Sequence, residues 1–217
     1  VKLYQYDIGA GLRSAATLDL YVKLNTLLIN PVVPVKIYER REGFKMNSYE
    51  SILDGLETRL ERDREGVIAE DFPTDFLMNI DDQRITGKIY AFNKYNKKGE
   101  KVDTSKYGNG VLFSLNGQSC GMRKSRFFST RGMAYSNIER NILVILDCSQ
   151  LHPAAIEKLF KNDRENIREN SFSTGILTEL REELKDHQGL KKFQNEWRRN
   201  EVEERVKDDG SVNDMLK

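Results

Sequence analysis

Residues 141–147 read Asn-Ile-Leu-Val-Ile-Leu-Asp, and this unbroken apolar run restricts the architecture more than any other feature. Side chains on a strand alternate between two faces, so five consecutive aliphatic residues leave no face for water. Such a strand belongs in the middle of a sheet that is covered on both sides, which predicts an α/β (α+β) fold. With 217 residues the chain can form one large or two small domains and bury a core without metal or disulfides.

The flanking segments supply the rest of a sheet. Residues 75–80 and 84–92 read as strands around an Asp81-Asp82 turn, and residues 110–115 read as a third strand. Near the start, residues 2–6 and 34–41 alternate like strands, separated by a helical pattern through Leu12, Ala16, Leu20, Leu24 and Leu27 or Leu28 that Asn30-Pro31 ends. Asn47-Ser48 can cap a helix running through Ile52, Leu53, Leu56 and Leu60. The Lys-, Gly- and Asn-rich residues 93–109 are expected to form an exposed, mobile loop, and residues 122–136 a short helical or irregular stretch. Beyond Pro153 the pattern is helical, with a long charged helix or helix pair from Thr174 to about Lys207 striped by Ile176, Leu177, Leu180, Leu184 and Leu190. Residues 208–217 read as a frayed tail. The expected organisation is an α/β domain over residues 1–170 and a helical extension with its tail over residues 171–217.

Charged residues make up 32% of the chain and hydrophobic ones 38%, a balance that suits a solvated helical surface rather than disorder. The net charge of +1 announces no global polycation. Cys120 and Cys148 lack C-x-x-C spacing and His152 is far from His187, so no metal site is expected. Without an apolar run of membrane-spanning length or a signal-peptide pattern, a cytoplasmic protein with no membrane partner is expected. The chain starts on a strand-like alternation without methionine, which reads as a fragment of a longer polypeptide.

Asp7-Ile8-Gly9-Ala10-Gly11 spells D-x-G-x-G. This string resembles the adenine-binding loop of ATPases of the gyrase, heat-shock-chaperone, histidine-kinase and MutL class. That loop works only behind a helix carrying Glu and Asn, and only six residues precede Asp7. Neither a G-x-x-G-x-G lid nor a G-x-x-x-x-G-K-[ST] cradle follows. Gly9 and Gly11 then turn a strand into a helix, and the chain by itself is not expected to bind ATP.

Two further stretches extend the likeness. Residues 112–118, Leu-Phe-Ser-Leu-Asn-Gly-Gln, resemble the V-F-V-N-G-R strand and turn of the MutL transducer domain, and the basic Arg123-Lys124-Ser125-Arg126 follows as it does there. Residues 144–153, Val-Ile-Leu-Asp-Cys-Ser-Gln-Leu-His-Pro, resemble the strand and loop written V-D-S-x-D-L-P in the chaperone middle domain or V-N-V-H-P in MutL. Val1 to Tyr6 resemble the last strand of the ATPase core. Over residues 1–170 the chain therefore resembles the transducer, or middle, domain of GHKL (Bergerat-fold) ATPases.

The resemblance implies a transducer-type mixed sheet covered by helices, with a left-handed β-α-β crossover. It also implies an upstream ATPase domain that binds ATP and Mg, a protein or DNA client, and a possible homodimer. In this superfamily the transducer lends a cation to the γ-phosphate. Here the chaperone's S-R-E is replaced by Lys158-Leu-Phe-Lys161-Asn-Asp-Arg164-Glu165, so Arg164 is the first candidate, with Lys161 and Lys158 behind it. The alternative is that all three cations solvate a helix.

Asn116, Gly117 and Gln118 are expected to form a tight turn. Arg123, Lys124, Arg126 and Arg131, interleaved with Phe127, Phe128 and Tyr135, offer either a stripe for a DNA or RNA backbone or a charged rim over core aromatics. Asp147 and His152 with Cys148 or Ser149 lack a nucleophile elbow, and Asp147 and Ser149 read as loop caps. His187 has no candidate partner, and Trp197 is expected to anchor its helix. The rival to the transducer reading is a non-enzymatic protein- or nucleic-acid-binding module.

Overall fold

The computed structural model describes residues 21, 24–39, 49–130, 132–162 and 166–215. The strand expected over residues 2–6, the helix before residue 21, the Asp7–Gly11 string, the Asn47-Ser48 cap, Arg131 and Arg164 lie outside the described residues.

Seven strands are described: β1 (Val35–Glu39), β2 (Tyr49–Leu53), β3 (Thr74–Ile80), β4 (Gln83–Ala91), β5 (Gly110–Leu115), β6 (Gln118–Arg123) and β7 (Ile142–Asp147). β1 and β2 form an antiparallel pair, and the other five form one mixed sheet in the order β3-β4-β7-β5-β6. The apolar run is thus the middle strand. It pairs antiparallel with β4 and parallel with β5, and Ile142 to Leu146 are buried without exception. Two hairpins need left-handed backbone. Asp81 and Asp82 turn β3 into β4 at φ 47° and 59°, and Asn116 and Gly117 turn β5 into β6 at φ 52° and 75°. Both turns therefore have the positive-φ pair of a two-residue hairpin whose twist matches its strands.

The main helices are α1 (Gly55–Arg62), α2 (Pro153–Leu159), α3 (Ser171–Lys185) and α4 (Gln188–Met215). Asn170 and Ser173 form a reciprocal capping box at the start of α3. His152 caps α2 by accepting from the Ala154 N–H at 3.3 Å, and His187 caps α4 by accepting from the Leu190 N–H at 3.2 Å. Ile176, Leu180, Leu184, Leu190 and Phe193 of α3 and α4 join the same apolar core as the sheet. Tyr135 donates its hydroxyl to the Leu184 carbonyl at 2.9 Å, and the Arg181 guanidinium lies 4.9 Å from the Phe127 ring centre. Among the described residues, no helix is long and apolar enough to cross a membrane.

Several expectations need correction. Residues 49–53 form β2 rather than the start of a helix, because Ile52 and Leu53 pair with Lys36 and Val35 and the helix begins only at Gly55. Residues 118–123, left outside any strand by a sequence poor in β-branched residues, form the edge strand β6. The stretch expected as a mobile loop is built of pinned turns: the Asn96 side chain accepts from the Lys98 and Glu100 N–H groups, and Lys94 pairs with Glu204 of α4. The tail is helical as far as Met215. Finally, β5 and β7 are parallel, yet their connection runs through β6 and the 3-10 turns Ser125–Ser129 and Glu139–Asn141. Among its described residues there is no α-helix, so the expected β-α-β crossover is not formed there.

Candidate functional site

The candidate turn Asn116-Gly117 sits where the chain entering from residues 24–27 meets the sheet. The Gly117 carbonyl accepts the N–H groups of both Ile29 and Asn30, at 2.9 and 3.0 Å, and Leu28 bridges Gln118. The same segment is held from its other side, because Leu28 and Ile29 accept the N–H groups of Leu56 and Glu57 at the start of α1, each at 2.9 Å. Contact with Gly117 is so close that a Cβ there would lie 2.0 Å from the Asn30 carbonyl oxygen. Only glycine satisfies both that distance and the positive φ.

Asn116 extends the chain of contacts to the loop after β7. Its N–H donates to Ser149 Oγ at 2.8 Å, while the Ser149 N–H and hydroxyl both donate to Asp147 Oδ1. This agrees with loop capping by Asp147 and Ser149. The Cys148 N–H is held by the Ser114 carbonyl at 2.9 Å, and the His152 N–H donates to the Gln83 side chain at 2.8 Å just before α2. Cys148 is fully buried, and burial pushes its thiol pKa up, which leaves it protonated and a poor nucleophile. His152 uses Nδ1 to cap α2, and the Ser149 hydroxyl donates to Asp147 rather than to an imidazole.

α2 carries the chain from this loop to the candidate phosphate-sensing cations. Lys158 and Lys161 are both exposed. Between the two, Phe160 forms an antiparallel bridge with Ile167, which leans on β6 where Gly121 leaves it room. The same neighbourhood holds Arg123, whose guanidinium lies 3.5 Å from Glu169. The structure thus brings Ile167 and Glu169, which follow the candidate cations in the chain, against the end of β6 that carries Arg123. Lys124 and Arg126 are exposed, whereas Phe127 and Phe128 are buried and meet edge to face at 5.5 Å, as core aromatics do.

A second cluster was not anticipated. Lys88 of β4 places its ammonium 3.8 Å from Glu57 and 3.9 Å from Asp75, close to Asp147, with Glu57 also accepting from the Asn30 amide at 3.0 Å. Its members are scattered along the chain; strand pairing places Lys88 beside Asp75 and near Asp147, and packing of the α1 start brings Glu57 to them. Elsewhere, a cleft of about 800 Å³ lies between Gly66 and Tyr95 over Ile68 and Phe72, and none of Lys158, Lys161, Arg123, Lys124 and Arg126 lines it. Its walls mix Arg62, Arg64 and Lys97 with Glu61, Glu65 and Glu70, so it favours neither charge sign.

No protein-family model matches the chain, and a search of curated proteins returns no match.

Proposed function

We propose that this chain is the transducer-type module of a GHKL-type ATP-binding protein. In this reading an upstream domain binds ATP and Mg, and the chain converts nucleotide state into a conformational change on a protein or DNA client, within a possible homodimer. The observation that carries the reading is the hydrogen-bonded path from Ile29 and Asn30 through Gly117, Asn116 and Ser149 to the loop ahead of α2. A switch needs an element that both sites contact differently in its two states. Here the incoming segment and the loop leading to Lys158 share one tight turn, so neither shifts without disturbing the other.

ATP supplies a terminal phosphate whose negative charge grows on its equatorial oxygens during transfer. Exposed Lys158 and Lys161 suit such an anion as compact charges, and Arg164 adds a planar fork by its chemistry. The work assigned to this chain is to hold positive charge beside the phosphate and to move when that charge is engaged. The test is ATP turnover by the natural full-length polypeptide. Arg164→Ala is expected to lower kcat by about a hundredfold or more, as removal of a transition-state cation does, with Lys161→Ala weaker. Unchanged turnover in Arg164→Ala, Lys161→Ala and Lys158→Ala refutes the reading.

Exposure of Lys124 and Arg126 favours, within the rival reading, a nucleic-acid-binding module. That reading requires salt-dependent DNA binding that falls when Arg123, Lys124 and Arg126 are changed to Ala.

A further inference from the structure

We propose that Arg168 is a positioning residue that fixes the segment presenting Lys158 and Lys161. Its functional meaning rests on the transducer reading, while its geometry stands independently. The Arg168 guanidinium spans the mouth of the segment. Nε donates to the Phe160 carbonyl at 2.8 Å and Nη2 donates to Asn162 Oδ1 at 3.1 Å. Its backbone N–H closes the same mouth on the Leu159 carbonyl at 2.7 Å, next to the Lys161 N–H on the Asn166 carbonyl at 3.2 Å. Two residues further, the Asn170 amide donates to the Lys158 carbonyl at 2.6 Å. The backbones of both lysines are therefore tied down from the far side of the segment.

Burial explains why the tie is needed and why an arginine makes it. Leu159, Phe160 and Ile167 are buried, but Lys158, Lys161 and Asn162 face solvent, so packing does not hold the two lysines themselves. A guanidinium spreads its donors over three nitrogens of a rigid planar fork and so spans two separated acceptors, whereas the three donors of an ammonium share one nitrogen. Arg168 itself is exposed, so its loss is expected to loosen this segment without unfolding the sheet.

The experiment uses the natural full-length polypeptide with Arg168→Ala and Arg168→Lys. Hydrogen exchange is read at the amides of Lys161 and Arg168, with β7 and α3 as references. Arg168→Ala is expected to speed exchange at those two amides about tenfold, the scale of one charge-assisted hydrogen bond, with the references unchanged. Arg168→Lys is expected to recover part of the protection. In ATP turnover the account expects kcat to fall while KM for ATP stays constant, because the nucleotide is held by the upstream domain. Unchanged local exchange in Arg168→Ala overturns the assignment, as does an equal rise in β7. A local rise with unchanged kcat overturns the positioning role in turnover. A local rise in a polypeptide that does not hydrolyse ATP refutes the transducer reading and supports Arg168 as the clamp of this segment.

Discussion

Replacing Gly117 by alanine tests the junction on which the coupling path depends. Two costs follow from its geometry. An L-residue at φ 75° pays about 1–2 kcal/mol for left-handed backbone. A Cβ placed 2.0 Å from the Asn30 carbonyl oxygen cannot be accommodated by a rotamer, because the clashing atom is backbone. Residues 28–30 must move, and the two N–H donations to the Gly117 carbonyl go with them, at about 1 kcal/mol each. Reduced freedom of the unfolded chain returns about 0.4–1 kcal/mol, leaving a net loss of about 2–3.6 kcal/mol.

Gly99→Ala is the matching control, since Gly99 has φ 78° and a Cβ there would meet nothing within 4 Å. It carries the same conformational cost without the collision and should lose no more than about 1.6 kcal/mol. In urea unfolding the two variants should therefore differ by about 2 kcal/mol, and in thermal unfolding of a chain this long by about 4–8 °C. Equal destabilisation by both substitutions would mean that the segment at Asn30 does not rest on Gly117, and the path would be broken at its first step.

Three further outcomes follow from the structure. Ser149→Ala removes the acceptor of the Asn116 N–H and should cost about 1–2 kcal/mol in urea unfolding, with Ser149→Thr recovering most of it; equal loss in both variants contradicts the hydroxyl bridge. Burial beside the Phe72 ring lowers the pKa of folded His187 below 6.5, with Glu183 opposing. The unfolded chain then binds the proton more readily, so the stability that His187 supplies is present above pH 6.5 and is lost as pH falls toward the depressed folded value. His187→Asn keeps a capping acceptor without titrating, and its urea midpoint should fall less than that of the wild type as pH is lowered from about 7 to about 5.5. Cys120 and Cys148 are 1% and 0% exposed, so a thiol reagent should label neither in native buffer and both in urea; rapid native labelling contradicts the packing of β6 on β5.

What could be read in the chain was what depends on local pattern. The continuous apolarity of residues 142–146 placed β7 in the centre of the sheet, and positive-φ residue types marked both hairpin turns. β6 escaped because Gln-Ser-Cys-Gly-Met-Arg has no strand-forming periodicity; its pairing with β5 makes it a strand. β2 was mistaken for helix because Ile52, Leu53, Leu56 and Leu60 fit a helical period, although the first two pack as strand residues. In the candidate site, Asn116, Gly117 and Ser149 were legible as turn and cap chemistry. Arg168 and Lys88 were not, since their roles come from partners that folding alone brings near.

The most direct test of coupling is hydrogen exchange at the Ile29 and Asn30 amides in the natural full-length polypeptide, with and without a non-hydrolysable ATP analogue. The account predicts that the analogue changes protection at these amides and at residues 116–118, and that Arg164→Ala removes the change. Identical exchange with and without the analogue, at saturating occupancy, contradicts it.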